Sequence, residues 1–129
     1  IRDRDYLLHD TKDNVTKVVD KDTPGAKYSE LEYEVLDVMD TDEGVLSYIL
    51  VELITGRHHQ IRAQFAKRKC GIWGDTKYNP KFQRTKKKYK EIGLHASRLE
   101  FDHPTTGEHM VFKHEPEGGA FAILDLDEF

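Results

Sequence analysis

The sequence predicts an α+β fold, a mixed and mainly antiparallel β-sheet with one principal helix packed on it. Three observations point there. Several segments alternate apolar and polar residues at period two, the pattern of half-buried strands. Turn-forming clusters such as Asp22-Thr23-Pro24-Gly25 and Pro104-Thr105-Thr106-Gly107 separate them. A single clear helical pattern, His59 to Cys70, follows the longest apolar run, Val45 to Ile54.

Taken in order, Tyr6 to Leu8 and Val15 to Val19 read as short strands around the polar turn Asp10 to Asn14. Leu31, Tyr33 and Val35 alternate with Glu30, Glu32 and Glu34 as a half-buried strand. The alternation changes phase at Leu36, which predicts a β-bulge. Thr41-Asp42-Glu43-Gly44 is a hairpin turn. In the next run Val45, Ile49, Val51 and Leu53 share one face, and Leu46, Tyr48, Leu50 and Ile54 the other. A strand apolar on both faces is expected at the centre of a sheet. In the helix, Ile61, Phe65, Ala66 and Cys70 form the stripe expected to face the sheet, with Gly71 at the C-terminal stop. Asn79 to Glu91 reads as a basic loop or an exposed helix. Leu94 to His103 and Met110 to Lys113 read as a hairpin, and Phe121 to Phe129 as an acidic amphipathic tail.

The 129 residues suit one domain, residues 1–129, with a modest core; 37% are hydrophobic and 34% charged. No apolar run approaches the ~20 residues of a membrane span. The opening Ile1-Arg2-Asp3-Arg4-Asp5 is not a signal peptide, and Ile1 is not an initiator methionine, so a piece of a longer protein or a trimmed chain is expected. Cys70 is the only cysteine, so no internal disulfide forms and a reducing, cytoplasmic setting is expected.

Net charge is −4, but it is unevenly spread. Residues 1–55 carry 6 Lys+Arg against 14 Asp+Glu, residues 56–99 carry 13 against 2, and residues 100–129 carry 1 against 8. A basic middle between acidic flanks is the footprint of a polyanion partner if it folds onto one face; otherwise it is a lysine-rich solvated loop. Trp73, Tyr78, Phe82 and Tyr89 interleave with the basic residues, and aromatics stack on unpaired bases, which favours RNA.

The densest donor cluster is Thr55-Gly56-Arg57-His58-His59-Gln60-Ile61-Arg62, between the long strand and the helix. Such a turn sets hydrogen-bond donors at the rim of a sheet within reach of an anion, or else is simply a solvated helix start. His103, His109 and His114 lie near one hairpin, but spacings of six and five match no standard zinc pattern, so no metal is expected. Cys70 falls on an apolar stripe and reads as core rather than nucleophile.

Four motifs in order carry a resemblance. Thr55-Gly56-Arg57 through His59-Gln60-Ile61-Arg62 resembles the TGR-x-HQIR motif of the RluA-type pseudouridine synthases. Gly74-Asp75 with Tyr78 resembles their GD-x-x-Y element. Leu94-His95-Ala96, Leu99, Phe101, His103 and Pro104 resemble their LHA-x-x-L-x-F-x-HP element, and Thr106-Gly107-Glu108 completes the hairpin turn. The matches span residues 50 to about 116, the C-terminal part of that family's catalytic domain.

The resemblance implies isomerisation of uridine to pseudouridine in rRNA or tRNA, without metal or organic cofactor, by a catalytic aspartate acting on a base extruded from the RNA. It implies that Arg62 pairs with that aspartate and that Arg57, His59 and Gln60 line the RNA-facing rim; Lys67 and Lys69 of the same helix are further candidate RNA contacts. Gly74, Asp75, Tyr78 and His95 take structural roles, Asp75 by capping its turn or pairing with an arginine. The family's HRLD-x-x-TSG element, which carries the nucleophile, is missing. The nearest string, Arg98-Leu99-Glu100, lies inside another motif. The expectation is therefore an inactive part of an active parent enzyme, with a non-catalytic RNA-binding module as the alternative. Strands supplied by the missing half would leave a sheet edge open, so self-association is expected.

Overall fold

The computed structural model describes residues 1–42, 44–83 and 92–114. The elements run β1 (Arg2–Asp10), β2 (Val15–Val19), β3 (Lys27–Thr41), β4 (Gly44–Leu53), α1 (Gln60–Lys67), α2 (Pro80–Gln83), β5 (Arg98–Asp102) and β6 (His109–Lys113). Four strands form one sheet in the order β2-β1-β3-β4, and β5 and β6 form a second. Every strand pair among the described residues is antiparallel, so the expected mixed character finds no counterpart there. The reason is connectivity: α1 leads on to α2 and a hairpin, not back into the first sheet as a parallel strand must.

Strand alternation decides where α1 sits. On β1, Asp3, Asp5 and Leu7 are buried while Arg2, Arg4 and Tyr6 face away. The pairings Asp3↔Leu31 and Asp5↔Ser29 put two further buried residues of β3 on the same face. Ala63 of α1 joins Leu7 and Tyr78 in the core, flanked by Val15, Val18 and Ala66. Phe65 meets Tyr33 edge-to-face at 5.2 Å between ring centres. The β3–β4 register shifts between Val35 and Asp37, the bulge that the changed alternation at Leu36 predicts.

Three expectations change. β4 lies at the edge of its sheet, not the centre, because no described strand flanks it; Val45 and Leu50 stay 65% and 51% exposed. The buried residues of α1 are Gln60, Ala63, Gln64 and Phe65, while Cys70 is exposed. Glutamines belong there because that face of β1 carries aspartates: Gln64 Nε2 donates to Asp5 Oδ2 at 2.8 Å. The helix stops through Lys69, at φ 59, rather than through Gly71. Lys69 N donates to Ala66 O at 3.0 Å and Cys70 N to Phe65 O at 2.9 Å, a Schellman closure. Gly71 serves a close approach instead, since a Cβ there would lie 2.8 Å from Asn79 Cγ.

The strand expected from Leu94 begins only at Arg98, and β6 begins at His109. Glu43, the Lys86-Lys87-Lys88 run, Tyr89 and the Phe121–Phe129 tail lie outside the described residues. No helix among the described residues is long and apolar enough to cross a membrane.

Candidate functional site

The strand-to-helix turn is pinned to β3 by one backbone unit. The Glu30 carbonyl accepts from Ile54 N and Thr55 N, each at 3.1 Å, and from Gln60 Nε2 at 3.1 Å. Glu30 N donates back to Thr55 Oγ1 at 2.9 Å. Gln60 Oε1 accepts from Thr55 Oγ1 at 2.8 Å and Arg57 N at 2.9 Å. Gln60 is buried and its amide builds the turn, while the residue also lines the cleft described below.

That turn feeds α1 through His59, which is left-handed at φ 49, ψ 29 and caps the helix with no side-chain bond. One turn on, Arg62 forms a two-point ion pair with Asp75, Nε to Oδ2 at 3.0 Å and Nη2 to Oδ1 at 2.8 Å. Asp75 Oδ1 also accepts from Lys77 N at 3.0 Å and Tyr78 N at 3.1 Å. Burial pushes the Asp75 carboxyl upward, but Arg62 and the two amides outweigh it and hold the acid below its ordinary range. Gly74, at φ 80, supplies the left-handed residue that turns the chain into Asp75.

Arg62 therefore has a carboxylate partner within this chain, where one from outside was expected. Its Nη1 lies 3.3 Å from His59 Nε2, and a guanidinium only donates, so Nε2 accepts and the ring proton sits on Nδ1. Nδ1 meets the Tyr78 hydroxyl at 2.8 Å. Burial first, then Arg62, His58 and Lys77, lower the His59 pKa to about 4, so the ring is neutral at pH 7.

Beside these groups opens a cleft of about 360 Å³, walled by Leu53, Ile61, Ile92 and Leu94 and rimmed by Arg57, His59, Gln60 and Arg62. The volume falls within the roughly 300–1,000 Å³ of small-ligand pockets. Arg57 is exposed and anchored by Nε to Tyr28 O at 2.9 Å. Lys67 does not join the rim: its Nζ pairs with Asp5 Oδ1 at 3.0 Å, drawn to the acid buried under the helix. Lys69 is exposed at the far end of α1. His95 has its Nε2 3.1 Å from both His114 O and His114 Nδ1.

His103, His109 and His114 do not converge. His103 Nδ1 accepts from Thr105 N and Thr106 N, and His109 bridges Glu100 and Asp102. Among the described residues no three His, Cys, Asp or Glu side chains are grouped to hold a metal. Sequence reading passed over His9 and Thr16, which crowd His58 of the same turn; only pairing of β1 with β2 brings them there. It also passed over Ile92 as a cleft wall.

No protein-family model matches the chain. Curated relatives match it in part. The uncharacterized RNA pseudouridine synthase YlyB of Bacillus subtilis is 42% identical over 82 residues, 61% of this chain and 26% of that protein. Ribosomal large subunit pseudouridine synthase D of Neisseria meningitidis is 40% identical over 75 residues, 52% of this chain and 20% of that protein. The tRNA pseudouridine synthase C of Salmonella typhi is 40% identical over 72 residues, 51% of this chain and 28% of that protein. The chain thus spans about a quarter of the length of these relatives, and its match to the RluA-type pseudouridine synthases covers about half of its own residues.

Proposed function

We propose that this chain is the arginine-bearing part of an RNA pseudouridine synthase catalytic domain whose parent isomerises uridine in rRNA or tRNA. The observation that carries the reading is the Arg62–Asp75 pair at the rim of the cleft. Asp75 takes two of the five guanidinium donors and His59 one, leaving two N–H groups for another anion. A catalytic aspartate supplied by the rest of the parent would dock on that edge and be held ionised. Arg57 and Lys69, both exposed, would meet RNA phosphate, and the neutral His59 would line the base pocket.

Asp75 itself is a poor nucleophile. It is 1% exposed and its oxygens are bound by Arg62, Lys77 N and Tyr78 N. That favours the reading that the chain alone binds RNA without isomerising it. Incubating the chain with an unmodified rRNA fragment and mapping pseudouridine tests this; product at a catalytic rate overturns it. Arg62→Ala should weaken binding to structured RNA and flatten its salt dependence, and unchanged binding would remove RNA from the proposal. The second reading, an RNA-binding module without a catalytic parent, rests on the same saturated Asp75. It is separated from the first by whether the reading frame upstream of Ile1 encodes an HRLD-x-x-TSG string.

A further inference from the structure

Three imidazole rings stack in a column beside the cleft. His9 of β1 lies 3.8 Å from His58 between ring centres, inclined by 21°. His58 lies 3.7 Å from His59, inclined by 30°. Each ring is also held at its edge. His9 Nε2 meets Asn14 Oδ1 at 3.1 Å, His58 Nδ1 meets Thr16 Oγ1 at 2.8 Å, and His59 Nδ1 meets the Tyr78 hydroxyl at 2.8 Å. Thr16 N donates to that same hydroxyl at 2.8 Å. The β1–β2 hairpin therefore grips the turn that starts α1.

That grip answers a local problem. His59 adopts a left-handed conformation unfavourable to any residue with a Cβ, at a helix start without a side-chain cap. Its ring must nevertheless stand where Nε2 can accept from Arg62. We propose that His9 and His58 are positioning residues, stacked on His59 to hold it in the conformation that orients Arg62 at the cleft. The inference rests on the reading of Arg62 as an active-site arginine.

The column holds in its neutral form. A proton on His58 would place a cation between two rings, facing His9 from β1, Arg62 from α1 and Lys77 from the loop before α2. Asp75, the carboxylate on that side, is already bound to Arg62. Burial, His9, Lys77 and Arg62 all keep His58 below its ordinary pKa, in line with a ring built to stay uncharged. Acid would open the column and withdraw His59 from Arg62 Nη1, leaving the arginine held by Asp75 alone. The sign is distinctive: a histidine that merely touched phosphate would tighten RNA binding on protonation.

The test is made on the 129-residue chain with two readouts: the Arg62 Nη1–H NMR resonance between pH 5 and 8, and anisotropy of a labelled rRNA stem-loop. The wild type should lose affinity by about tenfold on acidification, as a proton coupled to the binding site requires. His58→Phe keeps a flat ring that cannot titrate but loses the Thr16 bond; at pH 7 it should bind more tightly than His58→Ala, and it should lose the acid response. His58→Ala should shift the Arg62 Nη1–H resonance away from its wild-type position, as its contact with His59 is lost, and weaken RNA binding at pH 7. An unmoved Arg62 resonance in His58→Ala, or tighter wild-type binding in acid, overturns the proposal. If His58→Ala does not fold, His9→Ala read by the same resonance decides. Absence of any RNA binding would sink the proposed function, while the resonance would still judge the positioning.

Discussion

At Asp75 four donors converge on one buried carboxylate, Arg62 Nε and Nη2 and the amides of Lys77 and Tyr78. Asp75→Asn keeps the shape but sets an amide N–H against a guanidinium. It is expected to cost roughly 3 kcal/mol, the range for breaking a buried pair from one side, read as a lower urea midpoint at constant slope. A loss within error would show the pair to be dispensable. The histidines set the pH response. His58 and His59 have lowered pKa values in the fold, with His59 at about 4, whereas unfolded histidine titrates near 6.5. Between those values the unfolded chain binds more protons, so these two rings lower stability as pH is lowered through that window. Asp5 and Asp75, held low by their cations, withdraw their contribution only at lower pH, as each titrates in the fold. Urea midpoints should decline from pH 6.5 toward 4.5; a flat profile there contradicts this account. The octet's importance was legible because eight consecutive residues supplied it. The column was not, because His9 lies far from His58 in sequence.

For the elements, α1 is the informative case. Its existence was readable from apolar spacing, yet its inward face was not, since Gln60 and Gln64 are buried only because β3 offers a carbonyl and β1 a carboxylate. Its end was misplaced for a similar reason. Gly71 invited a C-cap assignment, but the left-handed residue is Lys69, and Gly71 is needed for Asn79 to approach. Lys69→Gly should therefore stabilise the chain by about 1 kcal/mol by removing a Cβ from a left-handed site, seen as a raised Tm. If Lys69 also contacts phosphate, the same variant binds RNA more weakly and with a shallower salt slope. A lowered Tm would mean that the Lys69 side chain makes contacts worth more than the backbone strain.

Across the whole molecule, the apolar residues outnumber the places to bury them among the described residues. Val38, Val45, Leu50, Leu99 and Phe112 are each more than half exposed, and β4 ends its sheet with Glu52 as its one charged residue. Long, uncharged edges invite pairing with another chain. The isolated chain is expected to self-associate, detected as a weight-average mass rising with concentration in light scattering, and Leu50→Lys should suppress it. A monomer at all concentrations would show that the edge is covered in some other way.

By itself the sequence determined the α+β, mainly antiparallel character, the bulge at Leu36, the basic middle and the order of four motifs. These are properties of local period, composition and spacing. Tertiary structure alone decided which groups meet. It gave Arg62 its partner in Asp75, drew Lys67 away to Asp5, turned Gln60 inward and stacked His9 on His58. Each of those outcomes depends on contacts between segments distant in the chain, where burial makes the choice of partner a matter of several kcal/mol and where a one-dimensional pattern carries no record of the distance.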